Sequence, residues 1–278
     1  MGMDIYVPTM WALGVMALCL TAYRFLVIGR QGKGHAGYET GTCATIGSRE
    51  IQEDAYGTVE GEGGIMAVLA DGMGSGYGGR IASRTAVEVF GDMFRDSNAF
   101  YNPQYYFRRA FHAANRSILE RLNGERGSAS VAAVMVKSRK LYYASVGNVK
   151  TAVYRNGELV SVTSGHTVSV LARQKYIEGK LTRQAAVSLL EQHRTYNYVG
   201  QDGFRDIEFF DVPVTLYGGE YVVLLSDGMY EGVSWREIEE CLAKRGSCGE
   251  KALELTELVN AKISEDMDNA SIVIIRVP

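Results

Sequence analysis

The sequence predicts an α+β domain of antiparallel sheets covered by helices, preceded by one N-terminal transmembrane helix. Three observations predict it. From Tyr38 onward, short runs rich in Val, Ile and Tyr alternate with glycine turns. Amphipathic stretches interrupt these runs in adjacent pairs, which argues against a βαβ winding. Ahead of them, Val7–Ile28 is an apolar run broken by a single charge, Arg24. The chain divides accordingly into an anchor and tether, residues 1–37, and one domain, residues 38–278.

The N-terminal run of VPTMWALGVMALCLTAYRFLVI would span roughly 33 Å as a helix, about the thickness of a bilayer's hydrocarbon core. Arg24 lies near its far end, where a long side chain can snorkel, and Trp11 and Tyr23 suit the two interfaces. A cleaved signal peptide and a buried helix are the rival readings. No positive charge precedes the run and no A-x-A site follows it, which disfavours the first. Asp4 precedes the run, while Arg24, Arg30 and Lys33 cluster at its end and beyond. Positive-inside logic then places the N-terminus outside and the domain in the cytoplasm, a single-pass protein of the cell membrane. Gly29–Gly37 is a short flexible tether.

Candidate strands are Thr42–Ile46, Ala55–Val59, Ile65–Ala70, Ser130–Val136, Leu141–Val146, Thr151–Tyr154, Leu159–Val162, Tyr221–Ser226 and Ile272–Val277. Asn156-Gly157, between two of them, signals a hairpin. Ile81–Phe94 gathers Ala82, Ala86, Val89, Phe90 and Met93 on one helical face, and Pro103–Leu122 follows closely. The second pair is Ser234–Lys244, with Ser234 as N-cap, and Gly249–Ile263.

Composition narrows the function. With 29 basic and 32 acidic residues the net charge is −3, so the chain lacks the footprint of a nucleic-acid binder. The four cysteines, Cys19, Cys43, Cys241 and Cys248, form no Cys-x-x-Cys pair, which leaves zinc clusters and disulfide frameworks unsupported.

One pattern occurs twice: MAVLADGMG at Met66–Gly74 and VVLLSDGMY at Val222–Tyr230. Each is an apolar strand ending in a small residue, followed by Asp-Gly-Met. A carboxylate at the end of a buried strand is held rigidly, and the glycine frees the backbone to turn. Asp71 and Asp227 can therefore meet if their strands are neighbours. Asp54 and Asp268 sit at strand starts. Buried carboxylates repel unless protons or cations compensate them, and an all-oxygen set selects Mg²⁺ or Mn²⁺. A pair of such ions can activate water and neutralise charge on a phosphoryl group. For either copy alone, a mere turn is the simpler reading; two copies and two further aspartates reverse that.

These pieces make the sequence resemble the metal-dependent protein phosphatase 2C family, of bacterial type, over roughly Gly41–Val277. The matches run in the family's order: Arg49-x-x-x-Glu53-Asp54, Ala70-Asp71-Gly72-Met73-Gly74, Gly127-Ser128-Ala129-Ser130, Val146-Gly147-Asn148, Val162-Thr163-x-x-His166, Ser226-Asp227-Gly228 and Asp268-Asn269-x-Ser271. The resemblance implies an αββα four-layer sandwich with two Mn²⁺ or Mg²⁺ ions at one end between the sheets. It implies a phosphoserine/phosphothreonine protein phosphatase that uses activated water and no covalent intermediate. By resemblance Asp71 bridges both ions with the Gly72 carbonyl on one, and Asp227 and Asp268 complete the metal set. Asp54 binds metal or orients the water, with Glu53 behind it, and Arg49 grips the substrate phosphate, a task that suits a planar bidentate donor. The implied partners are phosphoproteins and, with them, a Ser/Thr kinase or its substrates.

The chain also departs from the family. Asn148 stands where many members have an aspartate for a third metal, and a neutral amide is a poorer ligand. Gly165 replaces an acidic residue before His166. Met73 stands where eukaryotic members often carry a histidine. Ser164–Arg205 corresponds to the family's variable flap, whose Arg173, Lys175, Lys180, Arg183 and Arg194 could steer an acidic phosphopeptide or form a solvated basic face. Two rivals remain. A catalytically silent phosphatase-fold domain that binds a signalling partner is the alternative function. Gly74-x-Gly76-x-x-Gly79, with Asp92 beyond it, also fits a dinucleotide fingerprint, although no parallel βαβ pattern follows.

Overall fold

A computed structural model describes residues 37–278, apart from 62, 97, 191–193, 205 and 263–265. The expected membrane helix Val7–Ile28 lies outside these residues. Among the described residues no helix is long and apolar enough to cross a membrane.

The strand runs build two antiparallel sheets. In the first, the order is β1 (Glu39–Thr45), β11 (Ala270–Arg276), β10 (Tyr221–Leu225), β6 (Lys150–Arg155) and β7 (Glu158–Ser161). The second runs β2 (Ala55–Gly61), β3 (Gly64–Gly74), β4 (Gly127–Lys137), β5 (Lys140–Val146). Its far edge is finished by the short strands β8 (Glu208–Phe209) and β9 (Val214–Thr215), both paired with β5.

Side-chain alternation divides the apolar residues into three layers of core. On β3, Met66, Val68 and Ala70 face α1 (Gly78–Asp96) and α2 (Pro103–Leu122), where they meet Phe90, Phe107 and Phe111. Ile65, Ala67 and Leu69 point the other way, onto Val222, Leu224, Val273 and Ile275 of the opposite sheet. That sheet's outer face, Val223, Leu225, Ile272 and Ile274, packs on α5 (Asp227–Gly232), α6 (Trp235–Ala243) and α7 (Cys248–Ala261). The result is helix, sheet, sheet, helix. Because both faces are covered, β3 and β11 read as continuous apolar runs rather than alternating ones. Two more helices, α3 (Val168–Ile177) and α4 (Arg183–Leu190), pack on each other between β7 and β8.

Local signals explain the element ends. Pro103 opens α2 and Asn102 caps it by accepting from the Tyr105 N–H at 3.0 Å. Asn156 and Gly157 have φ of 52° and 88°, the conformation of a tight hairpin turn. Both α6 and α7 start on capping boxes, Ser234 with Glu237 and Ser247 with Glu250. The main correction concerns the repeated Asp-Gly-Met. The first copy does not turn: β3 runs on to Gly74, with Asp71 opposite Ser130 and Gly72 opposite Ala129. The second copy begins helix α5. The short α5, β8 and β9 lack a sequence signal of their own.

The antiparallel register fixes where the site lies. Ala55 pairs with Ala70, and Leu225 with Ile272. The end of β3 and the start of β2 therefore lie at one end of their sheet, and the end of β10 and the start of β11 at one end of theirs. A hydrogen bond from the Glu53 N–H to Asn269 Oδ1 brings the two ends to one pole.

Candidate metal centre

Each acidic residue is delivered to that pole by a different element. Asp71 lies in β3 and follows the inward alternation of Ile65, Ala67 and Leu69. Asp54 immediately precedes β2, Asp268 lies just ahead of β11, and Asp227 is the first residue of α5. Asp54 and Asp71 are buried, each 8% exposed. Ser226 and Ser271 tie the ends of β10 and β11 together: Ser226 N–H donates to the Ser271 carbonyl at 3.1 Å, and Ser271 N–H to Ser226 Oγ at 2.8 Å.

Asn269 staples the loop that carries Arg49, Glu53 and Asp54. Its Oδ1 accepts from the Glu53 N–H at 2.7 Å, and its Nδ2 donates to the Ile46 carbonyl at 2.8 Å. The glycines after Asp71 serve close approach. A Cβ at Gly72 would collide with the Gly79 carbonyl and lie 2.6 Å from the Glu53 carbonyl oxygen. This lets the start of α1 lie directly against the end of β3.

The electrostatics are those of a site that wants cations. Burial pushes the Asp54 carboxyl up to about 7; the Ser271 and Ser226 hydroxyls pull against it, and Asp227 and Asp268 add to it. Burial raises Asp71 well above the usual carboxylate range, and Asp227, Asp54, Asp268 and Glu53 raise it further. Burial, then Asp268 and Glu231, push Asp227 up to about 6. Four acids thus share one field. Asp54 Oδ2 is buried with no hydrogen-bond partner, an oxygen that a divalent cation would satisfy. An all-oxygen donor set with one orphaned carboxylate oxygen fits Mg²⁺ or Mn²⁺.

Among the described residues, no three acidic, His or Cys side chains are gathered around a single point. Two of the acids are turned to partners of their own. Asp227 Oδ2 accepts from Asn148 Nδ2 at 2.8 Å. Asp268 takes a bidentate bond from Arg49, at 3.2 Å from Nε and 3.1 Å from Nη2. That pair is about half exposed, 52% and 49%. An ion pair so exposed is worth about 1 kcal/mol at most, so either partner can leave it for a stronger one.

The profile of the protein phosphatase 2C family matches residues 44–261. The chain belongs to this family. It is similar to the serine/threonine phosphatase stp of Listeria welshimeri, 26% identical over 228 residues that cover 78% of this chain and 88% of that one. It is similar also to the protein phosphatase PhpP of Streptococcus pneumoniae, 25% identical with 85% and 96% covered. The solved serine/threonine phosphatase of S. agalactiae has the same fold, with a TM-score of 0.76 at 24% identity, covering 87% of this chain and all of that one.

Within this phosphatase 2C fold, Asp54, Asp71, Asp227 and Asp268 come to one pole with Gly72 beside them, and Arg49 reaches the same group through Asp268. The antiparallel pairing of β3 with both β2 and β4 excludes the dinucleotide alternative, because no parallel strand follows the glycine loop. Asp92 serves instead as the exposed partner of Arg95 at 2.8 Å. His166 is structural: its Nδ1 accepts from the Gly147 N–H at 3.1 Å, and burial lowers its pKa. Beside it, Glu208 accepts from the N–H groups of Ser164 and Gly165 at 2.7 and 3.0 Å. Of the flap cations, Lys175 and Lys180 both pair with Glu178. Sequence reading missed Tyr230 and Lys150, treated below, because nothing local marks a residue that works through a distant neighbour.

Proposed function

We propose that this chain is a metal-dependent serine/threonine protein phosphatase that hydrolyses phosphomonoesters on proteins with water, without a covalent enzyme intermediate. One observation carries the reading. Asp54, Asp71 and Asp227 come to one pole, where burial first and their neighbours' negative charge second push all three carboxyls above the usual range, and Asp54 Oδ2 is left unpartnered. The names of the relatives point the same way, and the solved catalytic domain of PstP is in complex with two manganese ions.

Asp71, in the middle of the group, would hold both ions, with the Gly72 carbonyl, Asp227 and Asp268 completing the set. The ions, when bound, supply charge neutralisation for the phosphoryl group and an acidified water. The protein's own residues do the rest. Asp54, buried beside the hydroxyls of Ser226 and Ser271, is fixed to accept a hydrogen bond from the attacking water and so to aim it. Glu53 stands behind the centre, its carboxylate beside the start of α1, where the backbone of Gly79 and Arg80 lowers its pKa against the rise that burial causes. Arg49 exchanges its exposed bond to Asp268 for the substrate phosphate, which a guanidinium binds with two parallel donors. Asn148 gives Asp227 an amide donor where a third cation would otherwise sit, which supports a two-ion site.

The finer reading continues from the sequence. Residues 1–37 anchor the chain in the cell membrane and the catalytic domain faces the cytoplasm, where it acts on phosphoproteins made by a Ser/Thr kinase. Alkaline carbonate extraction of membranes tests the anchor; release of the chain into the supernatant would refute it. The activity test is hydrolysis of an aryl phosphate and a phosphothreonine peptide with and without Mn²⁺, beside Asp71→Asn and Asp227→Asn. Manganese-dependent turnover, lost in both variants, is expected. A folded, metal-binding protein with no turnover on either substrate would overturn the general phosphatase and favour the silent, partner-binding reading.

A further inference from the structure

The strongest unassigned feature beside the metal centre is a half-buried lysine that burial pulls down in pKa, with the charge of Glu231 acting against that. Lys150 opens β6, paired with Leu225 at the end of β10. Its ammonium lies 3.7 Å from the centre of the Tyr230 ring and 5.6 Å from that of Trp235. Among the described residues it makes no ion pair. A half-buried ammonium placed on an aromatic face is held there by the ring's quadrupole. Trp235 is itself fixed, since its Nε1–H donates to the Leu159 carbonyl at 2.5 Å.

Tyr230 connects this cage to the acids. Its hydroxyl donates to the Asn148 carbonyl at 3.1 Å, and Asn148 Nδ2 donates to Asp227 Oδ2 at 2.8 Å. Asp227 and Tyr230 are three residues apart, one turn of α5, so they stand on one helical face. The two bonds and the helical turn close a ring: α5 grips Asn148 by its backbone carbonyl and its side-chain amide at once. Lys150, two residues beyond Asn148, lies over the Tyr230 ring and so joins that ring of contacts.

We propose that Lys150 is a positioning residue of the metal centre: seated on Tyr230 and beside Trp235, it keeps the Tyr230 hydroxyl on Asn148 and thereby holds Asp227 turned into the site. The proposal rests on the metal-dependent reading above. Residues that orient a metal ligand from behind typically change affinity by about 10–100-fold when removed.

The test uses the full-length chain in mild detergent, titrated calorimetrically with Mn²⁺, for wild type, Lys150→Met, Lys150→Arg and Tyr230→Phe. Thermal unfolding without metal and phosphopeptide kinetics run in parallel. Lys150→Met and Tyr230→Phe should each weaken one Mn²⁺ site by about tenfold. Combined, they should do no more than either alone, and saturating Mn²⁺ should restore kcat. Lys150→Arg, which keeps a cation on the ring, should bind as wild type does. Should Lys150→Met fail to fold, Tyr230→Phe decides, since it removes only the hydroxyl. Unchanged Mn²⁺ affinity in Tyr230→Phe or in folded Lys150→Met, with wild type binding the ion, overturns this proposal alone. Wild type that binds no Mn²⁺ overturns the metal-dependent reading and this proposal with it.

Discussion

The metal-free protein should become more stable when one of its acids is neutralised, and Asp227→Asn is the cleanest case. Asp227 titrates at about 6 rather than 3.8, chiefly because it is buried and because Asp268 and Glu231 add negative charge nearby. Holding it ionised at pH 8 therefore costs on the order of 3 kcal/mol. The substituted amide removes the charge, and its carbonyl oxygen can still accept the Asn148 hydrogen bond, while its NH₂ brings new donors whose burial offsets part of the gain. Part of the gain returns as Asp54 and Asp71 redistribute their protons, which leaves about 1–3 kcal/mol. For a domain of this size that is a rise in Tm of roughly 3–10 °C.

The sign depends on pH. Below about pH 4 the carboxyl is protonated in both folded and unfolded chains, and the variant gains nothing. Between about 4 and 6 the folded wild type keeps a proton that the unfolded chain has lost, so wild-type stability falls as pH rises; above 6 the full gap remains. Thermal unfolding in chelator at pH 4 and pH 8 measures this directly. Added Mn²⁺ should then reverse the order, because an ion at about 1,000 times its Kd stabilises wild type by about 4.1 kcal/mol and the variant loses the site. No gain at pH 8, or the same gain at pH 4, would refute the electrostatic account.

The other predictions test separate parts of the domain. Gly72→Ala drives a Cβ into backbone on two sides, so it should destabilise the fold by about 3 kcal/mol in urea unfolding. A loss under 1 kcal/mol would show that α1 is not locked to β3. Ser145→Ala deletes a buried hydroxyl with no partner, so it should be neutral or stabilise by about 1 kcal/mol, and a loss beyond that would reveal an unseen hydrogen bond. Arg49→Ala should raise the KM for a phosphopeptide at least about tenfold while moving stability by less than about 1 kcal/mol, given its half-exposed pair. An unchanged KM would remove Arg49 from phosphate binding.

Much of this protein follows from short-range rules. Pro103 behind Asn102, the Asn156-Gly157 turn and the Ser234–Glu237 box each act within a few residues, so the sequence alone places those elements. The order of acidic motifs likewise names the family, because the chemistry needs those side chains whatever connects them. Tertiary structure decided what local sequence could not. The two Asp-Gly-Met copies read alike, yet one stays in a strand and the other starts a helix. The reason is pairing: β4 extends to Gly127, giving Asp71–Gly74 a partner, whereas β6 begins at Lys150, opposite Leu225, and on the other side β11 holds the chain only as far as Ser226, through Ser271. The backbone after Ser226 must therefore satisfy its own hydrogen bonds, which a helix does. The same holds for Arg49 with Asp268, 219 residues apart, and Asn148 with Asp227, 79 apart. A sequence states which charges exist; only the register of the sheets decides which of them must face one another, and so which need a cation to lie at peace.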